Sequence, residues 1–74
     1  MREHYEVCYC GGSYPETLSI HWTLSGAQKA FRKRNRHLFD EAYAERHGYQ
    51  NTGTFDKIFF VDSEGDRREV PYGD

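Results

Sequence analysis

The segment HYEVCYCGGSYPETLSIHW, residues 4–22, contains two alternating runs on either side of a loop. From His4 to Cys10, Tyr5, Val7 and Tyr9 take one parity and His4, Glu6, Cys8 and Cys10 the other. Period-two alternation of this kind marks a half-buried strand. Gly11 to Glu16 reads as a loop by composition, and Thr17 to Trp22 alternates again with Leu18, Ile20 and Trp22 on one parity. The two runs predict a hairpin with Tyr9 facing Leu18, Val7 facing Ile20 and Tyr5 facing Trp22, three apolar pairs on one side. The other side then sets Glu6 across from His21 and Cys8 across from Ser19.

Downstream, Ser25 to Gln28 has the spacing of a capping box and predicts a helix start. On a helical wheel Ala27, Phe31, Leu38 and Ala42 form one stripe, widened by Phe39, and Gly48 supplies a left-handed stop after roughly six turns. Asn35 lies inside that stripe, where a branched aliphatic is the default, so it either bonds to something specific or sets the helix register. After a Gly48 to Thr54 loop, Phe55 to Val61 predicts a third strand. Asp62 to Gly65 predicts a type I turn with Gly65 left-handed, leading to a strand from Asp66 to about Tyr72 that Pro71 confines to an edge. The expected fold is α+β, a four-stranded and mostly antiparallel sheet in the order β-β-α-β-β with one amphipathic helix on one face.

At 74 residues the chain is expected to form a single domain over its whole length. It is 36% hydrophobic and 16% aromatic with two prolines, a composition that buries a core rather than staying disordered. Ten basic against twelve acidic residues leave a net charge of −2, so no overall field draws the chain to nucleic acid or to a membrane. The longest apolar run, Ile58 to Val61, is too short for a membrane span or a signal-peptide core, and the expected location is the cytoplasm. A domain this small is thinly stable, and its Cys8 and Cys10 cannot bridge along one flat strand, where residues two apart stand about 7 Å from each other.

One helix covers one side of a sheet, and the first hairpin alone can fill that side. Phe55, Ile58, Phe59, Phe60 and Val61 are apolar on both parities, so some of them must turn away from the helix. With Ile58 and Phe60 joining Val70 in the core, Phe59 and Val61 point outward beside Lys57, Arg67 and Glu69. An exposed patch of Phe55, Phe59, Val61 and Tyr72, with Lys57 at its side, is therefore the expected contact surface. Lys29, Arg32, Lys33 and Arg36 form a basic stripe on the helix, placed against like-charge repulsion and away from the helix end that favours cations. It could add charge selection to a protein interface, or take nucleic-acid phosphate with Tyr14 and Tyr49 as stacking groups. The plainer account of the stripe, and the one favoured over either ligand, is a solvated face with Arg36 to Asp40 and His37 to Glu41 pairs.

His4, Cys8, Cys10 and His21 bring four zinc-type ligands into one neighbourhood, but Cys-x-Cys on a flat strand splays the sulfurs, and no metal or cofactor is expected. Cys8 or Ser19 with His21 and Glu6 could form a nucleophile, base and acid set, yet it would lie on an open sheet without a pocket, so no catalysis is expected. The expected function is a non-enzymatic module that binds another protein, or a second copy of itself as a homodimer. Small acidic domains with a sticky face are common among phage-encoded inhibitors of host machinery, anti-CRISPR proteins included, and this size class suggests such a role. The alternative is nucleic-acid binding through the basic helix stripe. No membrane partner is expected.

Overall fold

The computed structural model describes residues 2–49 and 53–72. Strands β1 (His4–Tyr9) and β2 (Glu16–His21) form the first hairpin. Helix α1 (Leu24–Arg34), a 3₁₀ turn (Arg36–Leu38) and helix α2 (Glu41–His47) follow, and β3 (Asp56–Val61) and β4 (Arg67–Val70) close the chain. All pairings are antiparallel and the sheet order is β2-β1-β3-β4, so β1 and β3 are central and β2 and β4 are edges. The α+β class and the strand and helix order are as the sequence predicts. The middle of the predicted Gly48 to Thr54 loop, residues 50–52, lies outside the described residues.

The helical segment is not one rod. Thr23 caps α1, its Oγ1 accepting from the Gly26 N–H at 3.0 Å, so the helix starts two residues before the predicted Ser25 cap. Gln28, read as the other half of a capping box, instead donates to the Pro71 carbonyl at 3.3 Å and ties the C-terminal segment to α1. The helix ends at Asn35. This buried side chain donates to the Phe31 carbonyl and to Asp56 Oδ2, both at 3.0 Å, and accepts from Thr54 Oγ1 at 2.6 Å. The polar residue in the apolar stripe thus bonds to something specific: it turns the chain out of the helix and pins it to the start of β3. Asn35→Leu should cost about 2 kcal/mol in urea unfolding, because it removes a buried donor from Asp56 and the acceptor from the Thr54 hydroxyl. A cost under about 0.5 kcal/mol would remove Asn35 from the account of the helix break.

Of the described helices, only α1 lies on the sheet. Val7 from β1, Ala27 and Phe31 from α1 and Ile58 from β3 form the buried cluster, with Tyr5, Leu18, Leu24, Phe39 and Val70 packed around it. Helix α2 packs against the 3₁₀ turn rather than against any strand. It ends at Gly48, whose φ of 73° satisfies the left-handed stop that the sequence predicts. The extents of 43 × 27 × 16 Å leave depth for one sheet and one helical layer. Among the described residues, nothing forms a second layer over the sheet side opposite α1.

Candidate protein-binding face

The register of the first hairpin decides what that open side carries. The predicted pairing is displaced by one residue: Tyr5 faces His21, Glu6 faces Ile20 and Val7 faces Ser19, and a bulge then brings Thr17 opposite Cys8 and Glu16 opposite Tyr9. Paired residues share a face. Ile20, predicted among the core pairs, therefore joins Glu6 on the open side, and Trp22 lies beyond it with its ring edge toward His4 at 6.1 Å. Leu18 alone keeps its predicted inward position, because the bulge gives it no partner on β1 and turns it against the core.

At the centre of the open side a buried carboxylate gathers polar and charged partners from three strands. Glu6 Oε2 accepts from His4 Nε2 at 2.9 Å, and Oε1 accepts from Thr17 Oγ1 at 2.9 Å and pairs with Arg67 Nη2 at 3.0 Å. The Cys8 thiol approaches the same oxygen at 3.7 Å. His4 Nδ1 faces the Arg2 carbonyl at 2.9 Å, so both ring nitrogens meet acceptors. Only the imidazolium donates from both, and His4 is therefore charged in this arrangement. The hydrogen bond to the Arg2 carbonyl, followed by that to Glu6, raises the His4 pKa above its ordinary value. Burial pushes the Glu6 carboxyl up, but the bonds from His4 and Thr17, with the Arg67 charge, outweigh it and hold the carboxyl below its ordinary range. Burial, with the Glu6 charge adding to it, pushes the Cys8 thiol up, which keeps it protonated and poorly nucleophilic.

Around this satisfied centre stand apolar side chains without a layer to cover them. Ile20 is 55% exposed and Trp22 59%, the latter with the Arg2 guanidinium 4.3 Å above its ring. Phe59, paired with Glu6 and Glu69, is half-buried on the same side, with β1 between it and β2.

The predicted patch is not a single surface. Lys57 and Phe59 do point away from α1, Lys57 bonded to Glu69 at 3.2 Å. Val61 turns the same way by register, yet only 2% of it is exposed. Tyr72 lies on the helix side, its ring stacked on Phe31 at 4.4 Å. Phe55 is 66% exposed but sits at the sheet end, edge-on to Tyr9. The excess apolar surface inferred from sequence exists, carried by Ile20 and Trp22 in place of Val61, Tyr72 and Phe55. No local signal marks these two, because their alternation with Leu18 is unbroken in sequence and the bulge has no Gly or Pro to announce it.

The basic stripe has a local explanation. Because α1 ends at Arg34, Arg32 and Lys33 fall in its last turn, where the helix dipole favours cations. Arg34 donates to Asp56 Oδ2 at 2.7 Å, and Arg32 lies 5.5 Å from the Phe39 ring centre. Arg36 binds Asp40 through Nε and Nη2 at 3.2 and 3.1 Å, the predicted pair, while its guanidinium covers the Tyr43 ring at 4.5 Å. The Tyr43 N–H and Arg36 hold the Asp40 carboxyl below its ordinary range. Lys29 and Lys33 remain exposed on α1. A cavity of about 590 Å³ lies between the 3₁₀ turn and α2, and Tyr49 stacks on His37 at its wall, but Glu41 and Glu45 line it too and oppose a phosphate.

The sheet also separates the candidate chemical groups. Glu6 and Cys8 lie on the open side, whereas Ser19 and His21, bonded at 2.8 Å, lie on the helix side. Neither the nucleophile, base and acid set weighed from sequence nor the four zinc-type ligands converge, and among the described residues no group of three His, Cys, Asp or Glu is placed to hold a metal. No described helix is long and apolar enough to cross a membrane. No family model, curated protein or solved structure matches the chain, so the face is interpreted from its own geometry.

Proposed function

We propose that this chain is a non-catalytic protein-binding module whose contact surface is the β2 side of the open sheet face. One observation carries the reading: Ile20 and Trp22 are each more than half exposed, on the side of the sheet that no helix covers, around a charge network whose bonds are internal. An apolar residue and a tryptophan beside arginine are what the centre of an interface favours. The network beneath them keeps the platform rigid, so little is lost on docking in ordering side chains. A module of this kind acts by occupying a surface, as small phage-encoded inhibitors of host machinery do. The stripe of Lys29, Arg32, Lys33 and Arg36 contributes at most long-range steering, since local partners already engage Arg32 and Arg36.

The test compares two variants at matched folding, judged by far-ultraviolet circular dichroism. Trp22→Ala combined with Ile20→Asp should abolish association with the partner, a loss of at least about 2 kcal/mol. Reversing Lys29 and Lys33 to Glu should leave the bound lifetime within about twofold and change only the association rate. Binding lost with the lysines, or binding that fades steeply with salt, would transfer the function to the stripe and to nucleic acid.

A further inference from the structure

The partner that the β2 side fits can be taken further, on the basis of the docking reading above. The two sheet edges are built differently. β4 has four residues, presents Arg67, Arg68 and Glu69, and stops at Pro71, which is how an edge is protected from pairing. β2 has six residues, Glu16 to His21, with neither proline nor a basic chain other than the terminal imidazole. Its one blunting device is the bulge at Leu18.

That bulge gives β2 an unusual symmetry. By their partners on β1, Glu16, Ser19 and His21 belong to the helix side and Thr17 and Ile20 to the open side, while Leu18 packs into the core from the helix side. Read from either end the order is the same: helix, open, helix, helix, open, helix. In an ordinary strand a two-fold axis between adjacent residues would pair side chains from opposite faces, since their period is two. Here the bulge reverses the parity at the midpoint, and an axis between Leu18 and Ser19 keeps every face matched. Glu16 then meets His21 of the other copy, a carboxylate opposite an imidazole at both ends, and Thr17 meets Ile20 on the open side. Trp22 comes opposite Pro15, which follows Tyr14 in the chain; at 84% Tyr14 is the most exposed large apolar side chain described.

We infer that β2 is the pairing edge of a symmetric homodimer, in which a second copy of this chain docks antiparallel about Leu18 and Ser19 to form an eight-stranded sheet. The pairing covers the flanking aromatics Tyr14 and Trp22 from both copies. The strand edges with Ile20, Trp22 and the adjoining loop bury roughly 1,000 Å², at the lower bound for a specific interface and consistent with micromolar affinity. The two open faces become one continuous surface, which leaves Phe59 and Arg67 of each copy available and makes the module bivalent.

Sedimentation at low to high micromolar concentration should show conversion from the 8.7 kDa chain to twice that mass, with Trp22 emission shifting to the blue over the same range. Ile20→Lys, a charge on the pairing edge that nothing in the fold buries, should weaken the dimer at least about tenfold while Lys33→Glu leaves it unchanged. Glu16→Lys should weaken it as well, by setting a cation opposite the imidazole. A chain that stays at the monomer mass throughout, or a dimer untouched by Ile20→Lys, overturns the pairing. If the monomeric chain still binds a different protein and loses it with Trp22→Ala, the docking face stands and only the identity of its partner changes. If that binding is insensitive to Trp22 as well, both fall.

Discussion

Glu6→Gln should lower the unfolding free energy by about 2 to 4 kcal/mol and flatten its dependence on pH on both flanks. Glu6 is almost fully buried, and it is the one anion between the His4 imidazolium and the Arg67 guanidinium. Neutralising it leaves two cations facing each other across a site that water reaches poorly; the partial exposure of Arg67 keeps the cost from rising further. The pH behaviour follows from the directions of the shifts. The raised pKa of His4 gives a stabilisation that is full below its unfolded value near 6.5 and is lost as pH rises through the folded pKa. The lowered pKa values of Glu6 and Asp40 give contributions that are full above their unfolded values of 4.5 and 3.8 and are lost as pH falls through the folded ones. Stability of the native chain should therefore be highest between about pH 4.5 and 6.5. In the variant His4 keeps only the Arg2 carbonyl, opposed by burial and by Arg67, so the alkaline loss shrinks, and the Glu6 share of the acid loss disappears. Urea unfolding from about pH 3 to about pH 9 measures both flanks. An unchanged alkaline slope would mean that Glu6 does not govern the His4 proton.

Phe31→Ala should cost about 3 to 5 kcal/mol and leave the chain barely folded. Phe31 has no exposed surface, and it joins Val7 and Ile58 of the sheet to the helix. It also stacks on Tyr72 at 4.4 Å and meets Phe39 edge-on at 6.3 Å, so one ring fastens the sheet, the helix break and the C-terminal segment. A domain of this length has about 4 to 11 kcal/mol in total, which this single truncation consumes in large part. The same truncation at Phe55, which is mostly exposed, should cost less than about 0.5 kcal/mol. Near-ultraviolet circular dichroism and the urea midpoint distinguish these outcomes. A Phe31→Ala protein within about 1 kcal/mol of the native chain would show that the helix is held by something other than this core.

Both predictions rest on features of unequal legibility. Phe31 is visible from the helical wheel alone, since burial on α1 needs only a period of 3.6 and an apolar ring at the right position. Glu6 is visible as a strand residue on the polar parity, but its partners are not. The displaced register gives it Thr17 in place of His21, and Arg67 reaches it from β4, with β3 between their strands. Asn35 is an intermediate case. Its misfit in an apolar stripe signals a specific bond, whereas Asp56, the acceptor 21 positions later, is known only once β3 is placed beside β1.

The basic stripe shows the opposite error. On one long helix, Lys29, Arg32, Lys33 and Arg36 suggest a ligand because they repel one another and lie away from the helix end that favours cations. Once Asn35 ends the helix after Arg34, Arg32 to Arg34 occupy the turn where the dipole welcomes them. The charge pattern is unchanged; the location of the helix end reverses its meaning.

What the chain determined through local chemistry is the order of its elements, the Asp62 to Gly65 turn, the left-handed stop at Gly48, the core role of Phe31, Ile58 and Val70, and a surplus of apolar strand surface over one helical layer. What tertiary structure decided is which residues carry that surplus. A side-chain period of two means that a shift of one residue carries a strand's whole apolar set across the sheet. The shift arises from a bulge at Leu18 that appears only when β1 and β2 pair. Ile20 and Trp22 thus reach the open side through a contact between strands, which no pattern within either strand records.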